Sequence, residues 1–152
     1  MFVYTAKQIA SYFIEKANLS LNNDLTHLKL QKIIFYAQAE YYLKNNARLY
    51  SDPILAWEFG PVVMEVYQWL KGFGAHTINS QSIQLEHKLI DDPTMLFLDE
   101  IWEKYSRYSA SYLVGKTHAS DNPWHHVFYN EKTKVISLPM LRSVNLQADW
   151  ER

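Results

Sequence analysis

Apolar residues recur along this chain at helical spacing. Leu30, Ile34, Ala37 and Tyr41 fall at i, i+4, i+7 and i+11, one stripe on a helix. Leu28, Phe35 and Tyr42 widen the apolar surface, so neighbours must cover this helix on more than one side. Thr26 precedes the pattern, and its hydroxyl can accept a backbone N–H left free in the first turn. The Asn45-Asn46 pair ends it, which predicts a helix over 27–44. Lys29, Lys32, Tyr36 and Glu40 fall on the remaining face, where lysines are ordinarily solvated. Upstream, Thr5 caps a stripe of Ile9, Phe13 and Ala17 over 6–18. The short polar link from Asn18 to Asp24 predicts that the two helices pack together.

Farther along, Asp52-Pro53 reads as a turn, and Ile54 to Phe59 as an extended apolar segment too short for a helix. Gly60 supplies backbone freedom and Pro61 suits a first helical position, so the pattern predicts a helix over 61–71 with Val63, Val66, Tyr67 and Leu70 on one stripe. Residues 72–84 read as a loop. Pro93 opens a helix over 94–107, with Leu96, Ile101, Tyr105 and Tyr108 toward the core. Ser109 caps another over 109–117, Pro123-Trp124 starts a short turn or helix, 135–137 is extended, and Ser137-Leu138-Pro139 looks like a last helix start. The fold class expected is all-α, a bundle of about five to six helices with at most a small two-stranded element. Leu30, Ile34, Ala37, Val63 and Val66 are its expected centre.

The 152 residues suggest one domain over 1–152, with a core from about 5 to 145 and a tail from 146 to 152. The hydrophobic fraction of 48% excludes disorder throughout. A formal charge of −1 without a basic stripe argues against a nucleic-acid partner. With no cysteine, disulfides and thiolate chemistry are excluded. The start resembles no signal peptide and no apolar run is long enough to span a membrane, so a cytoplasmic location is expected by default.

Two motifs, Leu28-Lys29-Leu30-Gln31-Lys32-Ile33-Ile34-Phe35-Tyr36-Ala37-Gln38 and Ala56-Trp57-Glu58-Phe59-Gly60-Pro61-Val62-Val63 with Val66-Tyr67, resemble the Panacea family, the SocA-like or phage GepA-like antitoxin domain. Lys116-Thr117-His118 and Pro123-Trp124 are similar to its later signature. The resemblance implies a compact, mostly helical bacterial or phage domain. It further implies a binding protein and no enzyme. The partner would be a cognate protein toxin, neutralised by occlusion or by delivery to a protease or chaperone machine. Some members carry an added DNA-binding domain; with the pattern here starting at residue 5, none is expected, and no catalytic residue, cofactor or metal is implied.

The expected partner-binding surface lies beside Trp57, Glu58, Phe59, Gly60 and Pro61, with Tyr67. A Gly-Pro turn presents aromatic anchors with little entropy to lose. Lys29, Lys32 and Tyr36 would form an exposed rim, and His118 and Trp124 would close the region if the later signature folds back. The alternatives are an enzyme or metal-binding protein using His118, His125 and His126, and a phage or structural accessory module that binds another protein. Adjacent His125 and His126 diverge on any regular element, which argues against convergence on a metal. No Gly-x-Ser-x-Gly elbow or phosphate-binding glycine loop occurs, and Asp91-Asp92 suit a helix N-terminus. His27 reads as a surface residue.

Overall fold

The computed structural model describes residues 3–119, 121–147 and 150. The elements are α1 (Ala6–Asn18), α2 (His27–Asn45), β1 (Ile54–Trp57), β2 (Gly60–Val62), α3 (Met64–Leu70), α4 (Asp92–Tyr105), α5 (Ala110–His118), α6 (Pro123–Asn130) and β3 (Val135–Ile136). Short 3-10 segments occur at Lys71–Phe73, Ser80–Ser82 and Leu138–Ser143. The fold is thus mostly α with a small sheet, three-stranded rather than two, in the antiparallel order β2-β1-β3.

Side-chain caps mark the starts of the helices other than α3, which follows Val63 without one. Thr5 and Gln8 form a reciprocal capping box. Thr26 accepts from Lys29 N at 3.2 Å, Asp91 from Thr94 N at 2.9 Å and Ser109 from Tyr112 N at 3.1 Å. Asn46 ends α2 in the left-handed conformation, φ 52°, with its N–H on Tyr42 O.

α2 is the axis. Every residue from Lys29 to Ala39 is buried. α1, α3 and α4 pack around it, α5 and β2 close a further side, and the 3-10 turn at Leu138–Ser143 lies across it. The expected centre holds: Leu30, Ile34, Ala37 and Val66 are fully buried and Val63 is 2% exposed.

Four expectations are corrected. Lys29 and Lys32 are each 1% exposed and Tyr36 is buried, because α5, β2 and Trp150 cover the face assigned to solvent. The helix expected from Pro61 starts at Met64. Gly60 and Pro61 instead pair with Trp57 and Ala56 in a hairpin, where an edge strand tolerates a proline. Leu96 is 67% exposed, and Phe97 and Leu98 take its place in the core. His27 is buried rather than on the surface.

Trp150 lies in the segment expected as a tail. It is buried against Tyr36, Tyr105, Tyr108 and Tyr112, and its indole N–H donates to Asn145 O at 2.8 Å. The rest of that tail at 148, 149, 151 and 152, and the first two residues, lie outside the described residues.

Polar side chains inside α2 finish the extended backbone. Gln31 Oε1 accepts from Val63 N at 2.9 Å and its Nε2 donates to Val63 O at 3.2 Å. One heptad on, Gln38 Oε1 accepts from Leu49 N at 2.6 Å and its Nε2 donates to Tyr50 O at 2.8 Å. Each glutamine acts as a strand neighbour, satisfying both a donor and an acceptor that burial would otherwise orphan.

Two outcomes follow. Ile34→Ala is expected to lower stability by about 2–5 kcal/mol, through lost transfer energy and a cavity; a melting temperature near wild type would show that α2 is not the packed axis. Gln31→Leu leaves Val63 N–H and C=O without partners, at about 1–3 kcal/mol for each orphaned group. Hydrogen exchange at Val63 is expected to accelerate in that variant, and unchanged protection would remove the clamp from the account.

Candidate partner-binding cleft

The hairpin Trp57-Glu58-Phe59-Gly60 sits on the N-terminal half of α2. Trp57 pairs with Gly60 across a two-residue loop, Glu58-Phe59. Gly60 has φ 107°, a conformation L side chains rarely adopt. An added Cβ there would also come within 2.7 Å of Lys32 Cε and 2.9 Å of Thr117 Oγ1. Glycine is therefore required both by conformation and by the close passage of α2 and α5.

The hairpin is pinned from beneath. Lys32 Nζ donates to Pro61 O at 2.9 Å, and Gln31 holds Val63. From the far side, Trp124 Nε1 donates to Trp57 O at 2.7 Å. The His118 ring stacks on Trp124 with centroids 3.8 Å apart. The two halves of the later signature, at the end of α5 and the start of α6, thus fold back onto the hairpin as a unit.

Between α2, the hairpin and α3 lies a cleft of about 160 Å³. α2 supplies His27, Leu28, Gln31 and Lys32; the hairpin supplies Trp57, Phe59, Gly60 and Val62; Tyr67 of α3 completes the wall, with Gly74 at the rim. Trp57 packs edge-on against Tyr67 at 4.9 Å, and His27 lies 5.5 Å from the same ring. Phe59 stands 63% exposed at the tip and Leu28 is 37% exposed at the mouth.

Of the residues singled out from sequence, Lys32, Trp57, Phe59, Gly60 and Tyr67 line this cleft. Glu58 is exposed beside it, Pro61 is buried under it, and His118 and Trp124 back the hairpin. Lys29 is elsewhere. Its Nζ is held by Asp24 at 2.9 and 3.0 Å and by the Ser106 carbonyl. Tyr36 is also elsewhere, stacked on Tyr105 at 4.7 Å. The exposed basic rim does not exist, because both lysines end inside the fold. His27, Leu28, Gln31, Val62 and Gly74 also line the cleft and were not singled out. The available signal was Gln31, an uncharged polar residue between Leu30 and Lys32 just ahead of the apolar run Ile33-Ile34-Phe35.

The three histidines named as an alternative site do not converge. His118 stacks on Trp124, His125 lies 4.9 Å from Tyr129, and His126 Nε2 approaches Glu131 at 3.4 Å. Among the described residues no group of three His, Cys, Asp or Glu side chains is placed to hold a metal ion. Among them, too, no helix is long and apolar enough to cross a membrane.

Burial sets the electrostatics of the cleft. Desolvation lowers the Lys32 ammonium from 10.5 to about 7. Desolvation, with the Lys32 charge second, lowers His27 from 6.5 to about 4. Its place in the first turn of α2 adds to that preference for the neutral ring. Neutral His27 Nε2 can then accept from Gln31 Nε2 at 3.0 Å. His118 is lowered as well, by desolvation first and then by Lys32 and His125, against a backbone contact at Glu58.

Both lowered values bear on stability, with windows that do not overlap. Between pH 6.5 and about 4 the unfolded chain protonates His27 while the fold keeps it neutral, so the His27 contribution is lost as pH falls. The melting gap between wild type and His27→Gln is expected to narrow from pH 7 to pH 4; a constant gap would mean that His27 titrates normally. Between about pH 7 and 10.5 the unfolded chain retains the Lys32 proton that the fold has released, so stability rises with pH there.

The Antitoxin SocA-like, Panacea domain family model matches residues 30–125. That span holds all but the first three residues of α2, the hairpin, and α3 through the start of α6. The chain is also similar to Antitoxin SocA of Caulobacter vibrioides (strain NA1000 / CB15N), at 29% identity over 128 residues covering 78% of this chain and 68% of the relative. No solved structure matches. The family model covers well over half of the chain, including every element that shapes the cleft except Leu28 and His27 at its mouth, and the protein belongs to the SocA-like Panacea antitoxin domain family.

Proposed function

We infer that this protein is a protein-binding antitoxin that neutralises a cognate toxin in the cytoplasm by direct contact through the hairpin and its cleft. Binding rather than catalysis is its role. The observation that carries the reading is Phe59. Its ring is 63% exposed at the tip of a hairpin held by Lys32, Gln31 and Trp124, beside an apolar cleft. A large aromatic on a rigid support loses little entropy on binding, and such residues dominate interface energies. Family membership supplies the class of partner. Neutralisation by occlusion and by delivery to a proteolytic machine both begin with this contact.

The test is co-expression with the product of the neighbouring reading frame as the candidate toxin, scored by growth and by pull-down. Phe59→Asp is expected to weaken binding at least about tenfold, about 1.4 kcal/mol, and to abolish rescue. Its melting temperature should stay at wild type, because the side chain is exposed. Undiminished rescue by that variant would move the interface away from the hairpin. Charge reversal at Lys29 and Lys32 would not serve, since it would bury unpaired carboxylates and unfold the chain.

A further inference from the structure

α2 buries two lysines three residues apart, each 1% exposed, and treats them differently. Lys29 has its counter-charge, the Asp24 carboxylate at 2.9 and 3.0 Å. Lys32 has the Pro61 carbonyl at 2.9 Å, and among the described residues no carboxylate lies within ion-pair reach of it. An ammonium has more N–H donors than one carbonyl can use. Buried charge is ordinarily paired, since taking it out of water unpaired is costly.

The surroundings are built for this lysine. Gly60, at φ 107°, leaves room where a Cβ would meet Lys32 Cε at 2.7 Å and Nζ at 3.1 Å. The side chain lines the cleft, whose nearer walls are the apolar faces of Trp57 and Tyr67. The other polar groups there are committed, Gln31 to Val63 and His27 to Gln31. The volume is about 160 Å³. An apolar cavity of about 150 Å³ accommodates a benzene ring, so one side chain fits.

We propose that the cleft receives an acidic side chain of the partner protein, whose carboxylate pairs with Lys32 Nζ while flanking apolar residues of the partner cover Leu28 and Phe59. The inference rests on the reading of this cleft as the partner-binding site and adds the chemistry of the group it takes. Burial disfavours the charged lysine in the free protein. An incoming carboxylate in the same low-dielectric site favours it, so seating the anion restores the proton to Nζ. A partner with an amide in place of the acid would gain no such pairing, which gives the cleft its selectivity.

The probe is 3-phenylpropionate, compared with 3-phenylpropionamide, titrated into the full chain and followed by the NMR amide shifts of Lys32, Gly60 and Tyr67. The acid is expected to bind about tenfold tighter than the amide, with the preference gone in Lys32→Met. Equal affinities in wild type, binding of neither compound at millimolar concentration, or an acid preference that survives in Lys32→Met would overturn the pairing. Should Lys32→Met fail to fold, the acid–amide comparison on wild type decides alone. The probe contains no toxin. Failure here with Phe59→Asp still abolishing rescue removes the lysine pairing and leaves the antitoxin reading standing. Acid preference without any effect of Phe59→Asp shows a carboxylate site at Lys32 but moves the toxin interface away from the hairpin, and so overturns the partner as its occupant.

Discussion

A helix surrounded on all sides cannot send its polar side chains to water. From Lys29 to Ala39 every residue of α2 is buried, yet the run contains Lys29, Gln31, Lys32 and Gln38. Each must find a partner inside the protein. Gln31 and Gln38 find backbone, one at Val63 and the other at Leu49 and Tyr50. Lys29 finds Asp24 and Ser106, and Lys32 finds Pro61. Extended segments that pass α2 are thereby fixed in register to it. An isolated two-stranded hairpin is marginal in water; this one is held because α2 supplies the bonds a further strand would have made.

The same arrangement protects the sheet. β2 is an edge strand, and an open edge invites pairing with other chains. Here Pro61 removes one donor, Lys32 occupies the Pro61 carbonyl, and Gln31 occupies the flanking Val63. What remains exposed is a side chain, Phe59, rather than backbone. Strand addition at this edge is thereby disfavoured.

Farther along the Lys32 face of α2, past the cleft, the helix is closed by rings and one carboxylate. Tyr36, Tyr105 and Trp150 meet within 5.5 Å of one another, and Tyr108 and Tyr112 extend the cluster over Trp150. Glu40 ends α2's buried face, accepting from Lys104 Nζ at 2.7 Å and from the Tyr105 hydroxyl. Arg142 reaches Tyr42 OH and Asn46 Oδ1 at 3.1 and 2.8 Å, tying the C-terminal 3-10 turn to the end of the helix. The aromatic richness of the chain thus divides between this structural cluster and the cleft nearer the N-terminal end of the helix.

Local chemistry was legible in the residues. Thr5, Thr26, Asp91 and Ser109 each cap a helix within three residues of themselves, and the stripe through Leu30, Ile34 and Ala37 needs only helical geometry to appear. The motif around Trp57 to Pro61 marked the hairpin that walls the cleft, because a Gly-Pro turn among aromatics is itself a local signal. What sequence could not decide was what covers each face. Lys29, Lys32, Tyr36 and His27 look like surface residues until α5, the hairpin and Trp150 are brought over them from far along the chain. Pro61 looks like a helix start until Ala56 pairs with it, and Leu96 and Phe97 are equal candidates for the core until α4 is docked. Caps and stripes depend on neighbours a few residues away. Burial of a charged side chain depends on contacts across the whole fold, and only the tertiary structure supplies those.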